Sequence, residues 1–218
     1  YLDLIRAEAQ RLQIEPEIAM AFIQVEAGGN FLCPDGRMLV RFEPHKFIDG
    51  VAKFISDEVS KNVPWFPCKD AKRRTNCAEW KKLGYKHGGG CDQNWQVEHN
   101  KNIKEANDWA MANGAADDSI AYWASSFGGP QIMGFNYKLC GYSSPKELFN
   151  AFATSEVAQI RGLFAYLQNK RGMLSASQNK DFFKMARFYN GRGNESVYGP
   201  RLEAAYIKFK SGQLPENR

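Results

Sequence analysis

The sequence predicts a mainly α fold of the α+β class: one helical domain carrying a small β-hairpin near its N-terminal end. Three observations predict it. Apolar residues recur at three- and four-residue spacing along most of the chain. Proline, glycine and capping residues punctuate those runs where helices should begin and stop. One stretch, residues 31–42, instead sets an Asp-Gly pair between two apolar runs. At 218 residues the chain has the size of a single domain, taken here as 1–218, and is long enough to bury a substantial core.

The elements follow in order. Leu2, Ile5, Ala9 and Leu12 mark a first amphipathic helix that already starts at the first residue, so upstream sequence is expected, which leaves room for a separate cell-wall-binding domain before Tyr1. Pro16, flanked by Glu15 and Glu17, sits at a first helical position and opens a second helix. That helix runs through Ile18-Ala-Met-Ala-Phe-Ile-Gln-Val-Glu26 to a stop at Gly28-Gly29. The hairpin about Asp35-Gly36 comes next, then a short helix over 44–54. Helical spacing resumes near Val97, through Ile103, Ala106 and Ala110, and again over Ile120, Ala121 and Ala124. Ser144-Pro145-Lys146-Glu147 reads as a capping box. Three apolar faces complete the chain: Val157/Ile160/Phe164/Leu167, Phe182/Met185/Ala186/Tyr189 and Leu202/Ala205/Tyr206/Phe209.

Residues 61–94 break every pattern with prolines, a Gly88-Gly89-Gly90 run and clustered lysines and arginines. They are too short and polar for a core of their own, and read as a Cys-rich surface insertion. Five cysteines occur, Cys33, Cys68, Cys77, Cys91 and Cys140, an odd count with no C-x-x-C. For the group Cys68, Cys77 and Cys91 beside His87, three states stay open: a local disulfide, free thiols or a metal site. Apart from that cluster, no cofactor and no resident metal are called for.

The net charge of +5 favours an anionic polymer or surface as partner, but apart from Lys69 to Arg74 and Lys81-Lys82 the basic residues are scattered, which argues against nucleic acid. No run approaches a membrane span. Aromatic residues reach 13%, a content that suits a carbohydrate-binding cleft as well as an enlarged core. The motifs H-E-x-x-H, G-x-S-x-G and the P-loop are missing. Gly191-Arg192-Gly193 lacks the third glycine of a dinucleotide site and follows a helix. His45, His87 and His99 have no flanking sequence that points to a Cys–His pair.

Glu26 carries the most chemistry. A carboxyl in the last turn of an apolar helix is partly desolvated and faces the negative end of the helix dipole, so its neutral form is favoured. Two later segments complete the picture, Gly128-Gly-Pro-Gln-Ile-Met-Gly134 and Phe188-Tyr-Asn-Gly191. Together they suggest an enzyme that protonates a leaving oxygen on a polymeric sugar.

The order of these motifs resembles the lysozyme superfamily, with goose-type lysozymes and lytic transglycosylases, and most closely the N-acetylmuramidase family of phage endolysins. The resemblance rests on Ala21-Phe-Ile-Gln-Val-Glu-Ala-Gly-Gly29, Gly36-Arg-Met-Leu-Val-Arg-Phe-Glu-Pro-His45, Ser125-Ser-Phe-Gly-Gly-Pro-Gln-Ile-Met-Gly-Phe-Asn-Tyr137, Gly141-Tyr142 and Tyr189-Asn-Gly191. It covers about residues 15–210. The chain departs from the family's usual residues at Ala27 (Ser), Phe127 (Trp) and Pro44 (Arg).

The resemblance implies a lysozyme-like helical domain with its hairpin after the catalytic helix. It implies a monomer that cuts the β-1,4 bond between N-acetylmuramic acid and N-acetylglucosamine of bacterial peptidoglycan, in the periplasm or outside the cell. For a phage product, synthesis would take place in the host cytoplasm. Glu26 would be the general acid, and Glu43 a second carboxylate that orients water or stabilises the oxocarbenium-like transition state. Otherwise Glu43 would pair with Arg41 or His45. Gln131, Tyr189 and Asn190 would bind substrate or wall the cleft. Asp35 belongs to the turn, Ile132 and Met133 to the core, and Asp49 is a further candidate acid. Two alternatives stay open: a lytic transglycosylase that leaves 1,6-anhydro ends, and an inactive wall-binding module.

Overall fold

The computed structural model describes residues 1–63 and 93–212, with 93–98 as backbone only. Most of the expected insertion, with Cys68, Cys77, Cys91 and His87, lies outside them.

Helix α1 (Leu2–Leu12) buries Ile5, Ala9 and Leu12, the three- and four-spaced face read from the sequence. Helix α2 (Pro16–Ala27) starts on Pro16 and buries Ile18, Ala19, Ala21, Phe22 and Ile23. It stops because Gly28 adopts a left-handed conformation, φ 64°, which lets the N–H groups of Gly28 and Gly29 return to the carbonyls of Gln24 and Ile23. The apolar stretch therefore ends one turn past Ile23, and Glu26 is delivered at the rim of the core.

After α2 the chain turns at Asp35-Gly36. The Asp35 carboxylate takes the Arg37 N–H at 3.1 Å and the Arg37 guanidinium at 2.5 Å, so Asp35 does turn chemistry. The expected hairpin is reduced to one antiparallel bridge, Leu32 to Met38. The sheet draws its partners from elsewhere. Strand β1 (Val40–Phe42) pairs antiparallel with β2 (Ser125–Phe127), which pairs in turn with β3 (Ile132–Met133). The register sets Arg41 opposite Ser126 and Ser126 opposite Met133. Burial explains the choice: Val40, Phe42 and Phe127 are all 3% exposed or less, and pairing β1 with β2 joins those side chains in one core. Cys33 is disulfide-bonded, which the cysteine spacing did not suggest, whereas Cys140 is free and buried.

The remaining helices are α3 (Pro44–Phe54), α4 (Asp57–Ser60), α5 (Gln93–Ala112), α6 (Ile120–Trp123), α7 (Pro145–Thr154), α8 (Glu156–Asn169), α9 (Met173–Gln178), α10 (Phe182–Tyr189) and α11 (Glu195–Lys210). The capping box at α7 is displaced by one residue. Ser144 caps the Glu147 N–H as expected, but the Glu147 carboxylate takes the N–H of Ser143. Helix α9 had no sequence forecast. It follows a left-handed Gly172 and is only six residues long. Helix α2 packs against α1 and α11, α10 packs against α11, and α5 lies against β1. Residues of α2, β1, α5, α10 and α11 line a cleft. Among the described residues no helix is long and apolar enough to cross a membrane.

Candidate functional site

A cleft of about 970 Å³ opens where the end of α2, strand β1, the β2–β3 loop and the end of α10 meet. Glu26, Arg41, Glu43, His45, His99, Ser126, Gln131, Tyr189 and Asn190 all line it. Five residues singled out in the sequence (Glu26, Glu43, Gln131, Tyr189 and Asn190) are thereby brought to one cavity. Asp49 is not among its lining residues; it lies 3.6 Å from Lys46 on α3.

Glu26 is half-buried as a residue, with a face on the cleft, while its carboxyl is enclosed. Burial pushes that carboxyl up to about 7. Two influences pull the other way: a hydrogen bond from Asn190 Nδ2 to Glu26 Oε1 at 2.8 Å, and the nearby charge of Arg41. Desolvation outweighs both. The result is a carboxyl that still carries a proton near neutrality yet has a partner ready for its ionised form.

Asn190 comes from the C-terminal cap of α10. Its Nδ2 is spent on Glu26, and its Oδ1 is buried without a hydrogen-bond partner among the described residues. Tyr189, next to it, has a different task. Its hydroxyl donates to the Pro130 carbonyl at 2.5 Å, and its ring packs on Phe22 of α2 and Tyr166 of α8. Burial holds the phenol far above its ordinary range, so it remains a donor. Tyr189 thus ties the end of α10 to the β2–β3 loop and to α2, leaving its neighbour Asn190 aimed at the acid.

Gln131 is also turned inward. It adopts a left-handed backbone, φ 50°, unusual for a side chain of its size. Its Nε2 donates to the Gly128 carbonyl at 2.7 Å, and its Oε1 accepts from the Ser126 hydroxyl at 3.0 Å. The amide that the sequence offered to substrate is engaged within its own loop. The loop is further held by Gln159, fully buried on α8, which accepts the Gly129 N–H at 2.8 Å and donates to Phe152 O at 2.9 Å. Sequence reading passed over Gln159, because a lone glutamine on an apolar helix face gives no local signal.

Glu43 caps the start of α3 in extended backbone, immediately after β1. Its Oε1 is 2.8 Å from Arg41 Nε, and its Oε2 is 3.6 Å from His45 Nδ1. The ion pair that competed with a catalytic role is therefore formed, on a carboxylate that also faces the cleft. Arg41 was missed as a site residue. Its charge acts on Glu26, on Glu43 and on His99, so it links the two carboxylates electrostatically. His99 of α5 is buried and accepts the Phe42 N–H on Nδ1 at 3.2 Å. Burial, then Arg41, pushes its pKa down to about 4, so it is a neutral strut against β1, the strand that precedes Glu43.

The far part of the cleft is aromatic and cationic, with Phe188, Tyr198, Lys170 and Arg201. Arg201 lies over the Tyr198 ring at 5.5 Å, and Lys170 over Tyr166 at 5.9 Å. Among the described residues no group of three His, Cys, Asp or Glu side chains is placed to hold a metal ion.

Fold and site together define an α+β domain of the lysozyme-like type, with one desolvated acid in a long polar and aromatic cleft. A model of the N-acetylmuramidase family matches residues 15–210. The chain belongs to the N-acetylmuramidase family and is, at the level of that family, a peptidoglycan-degrading enzyme. No curated protein matches it in sequence. Among solved structures, the crystal structure of a Burkholderia AP3 phage endolysin is similar, with a TM-score of 0.67 at 24% identity. That likeness covers 96% of this chain and 71% of the endolysin, and at such identity it speaks for the fold.

Proposed function

We propose that this chain hydrolyses the β-1,4 bond between N-acetylmuramic acid and N-acetylglucosamine, with Glu26 as general acid. The observation that carries the reading is the Glu26 carboxyl, enclosed at the cleft wall and pushed up to about 7 by burial. Because Oε1 accepts from Asn190, the proton resides on Oε2. Glu26 gives that proton to the bridging oxygen as the glycosidic C–O bond breaks. Water adds its oxygen to the anomeric carbon and releases a proton, so one water is consumed per bond. The Asn190 N–H and the charge of Arg41 stabilise the carboxylate that donation creates. Glu43 is the second carboxylate: it shares Arg41 with the acid, orients the attacking water and takes up the proton that this water releases. The AP3 protein is described as a phage endolysin, and we extend a lytic, cell-wall role to this chain as part of the same proposal.

One observation favours transglycosylation instead. Glu43 is committed to Arg41 at 2.8 Å, and closing the sugar on itself as a 1,6-anhydro end requires only the acid. Mass spectrometry of digested purified peptidoglycan separates the two. Reducing muramic ends, heavier by one water, are the expected result; anhydro ends would overturn hydrolysis, and no soluble fragments would overturn both.

A further inference from the structure

Phe54 and Phe135, 48% and 36% exposed, both pack on Trp123. The ring centroids of Phe54 and Trp123 are 5.5 Å apart, and those of Trp123 and Phe135 5.3 Å. Lys53 lies over two of these rings, its Nζ 5.0 Å from the centre of Phe54 and 5.5 Å from that of Trp123. Among the described residues no carboxylate pairs with it.

Three chain segments far apart in sequence build this run: the last turn of α3, the end of α6, and the 3₁₀ turn at Gly134–Asn136. Two glycines make their approach possible. A Cβ on Gly50 would stand 3.2 Å from Trp123 Cε3 and 2.9 Å from Ile120 Cγ2, so only glycine lets the indole lie close on α3. A Cβ on Gly134 would strike the Tyr122 carbonyl oxygen at 2.0 Å. The scaffold is thus shaped to seat Trp123 between two exposed rings.

The run is continuous with the cleft, because Phe135 lines both. The rings meet edge to face and tilted, at 84° and 52°, so they offer exposed apolar faces in more than one direction, which suits the C–H faces of sugars. A cation beside them suits the carboxylates carried by muramic acid and its peptide stems. We infer that Phe135, Trp123, Phe54 and Lys53 form a second glycan-binding stretch, which holds the peptidoglycan strand beyond the bond that is cut. It rests on the muramidase reading for the identity of the strand, and it is a binding site, distinct from the acid.

The test compares soluble peptidoglycan oligomers of increasing length, using the wild type, Phe54→Ala, Phe54→Tyr and Lys53→Gln, with melting curves for each. In the wild type KM should fall as the oligomer lengthens. Phe54→Ala should raise KM on the longest strands about tenfold, the size of losing one aromatic anchor, with kcat and the shortest oligomer unchanged. Lys53→Gln should show the same length dependence more weakly, and Phe54→Tyr should restore wild-type behaviour. Equal effects at every length, or none, overturn the inference.

Binding of the same oligomers to Glu26→Gln with and without Phe54→Ala, read by tryptophan fluorescence, keeps the question open to an answer if the wild type proves not to cleave. In that case the function fails while a Phe54-dependent, length-dependent affinity still upholds the stretch. Loss of binding to anionic lipid vesicles, with glycan affinity intact, would instead make this face a membrane-docking surface and sink the proposal.

Discussion

Helix α2 carries a glutamate at each end, and the two have been driven in opposite directions. Glu15, the N-terminal cap residue, meets Lys180 Nζ at 2.8 Å, Lys210 Nζ at 2.6 Å and the Tyr206 hydroxyl at 2.7 Å, and these partners push its pKa down to about 2. Glu26, in the last turn, is pushed up to about 7 by burial, against the pull of Asn190 and Arg41. The helix dipole favours charge at the first site and disfavours it at the second. The same residue type is thus a fixed anion holding α2 to α11 at one end and a carboxyl with a raised pKa at the other. Solvent and partners decide which; the side chain does not.

The largest effect expected from breaking this contrast is on Glu26. Glu26→Gln should lower the rate of wall lysis by ~10²–10⁴-fold, the usual share of a general acid. A variant that keeps a tenth of wild-type turnover would remove Glu26 from the mechanism. The same change should stabilise the fold at high pH. A carboxyl whose folded pKa is raised costs nothing below its unfolded value near 4.5, and its burial cost grows as pH rises through about 7. Above that pH the variant should gain up to about 3 kcal/mol over the wild type, and below pH 4 nothing. Denaturant melts at pH 4 and pH 8 check the sign.

Next in size is Glu43. Glu43→Gln should reduce turnover by more than about tenfold with a change in stability of only ~0–1 kcal/mol, because the Arg41 side chain is 41% exposed and solvent screens its pairing with Glu43. A near-normal rate with reducing-end products would show the carboxylate to be a strand-end ion pair and nothing more.

Asn190 sharpens the comparison by tuning the acid. Its hydrogen bond lowers the Glu26 pKa, so Asn190→Ala should move the alkaline limb of the pH–rate profile upward, toward higher pH, while reducing the plateau rate. A limb that stays in place would mean that the amide holds the helix end without touching the titration.

The smallest effect belongs to Glu15. Glu15→Gln should cost roughly 1 kcal/mol at pH 7, discounted for a carboxylate still one-third exposed. Since its folded pKa is depressed, that stability is present above about 4.5 and is lost as pH falls toward about 2. Wild type and variant should therefore converge in acid melts, and activity at neutral pH should not change.

How much of this was legible beforehand varies with the range of the interaction. Helices α1, α2, α3, α7, α8, α10 and α11 announce themselves because their stabilising contacts repeat every three or four residues and their ends are marked by Pro16, Pro44, Pro145 or Gly28. Helix α9 does not, being too short to show a period. The sheet was read as a local hairpin about Asp35-Gly36, whereas β1 pairs with β2 through Val40 and Phe127. A turn signal reports only that the chain reverses. Which strand it then meets is set by the buried faces available in three dimensions.

The site divides along the same line. Sequence by itself determined that an acid would end an apolar helix, that a glycine-rich loop and a Tyr-Asn-Gly helix end would accompany it, and that desolvation would raise the pKa of the acid. Those are properties of residue type and short-range spacing. Only the tertiary structure decided that Asn190, and not Gln131, touches Glu26, that Tyr189 serves the Pro130 carbonyl, and that Arg41 stands in reach of both carboxylates. It likewise decided that Phe54, Trp123 and Phe135 form one run. The physical reason is that a hydrogen bond or an ion pair depends on positions to within a fraction of an ångström. Those positions are fixed by packing among segments that the chain order keeps apart.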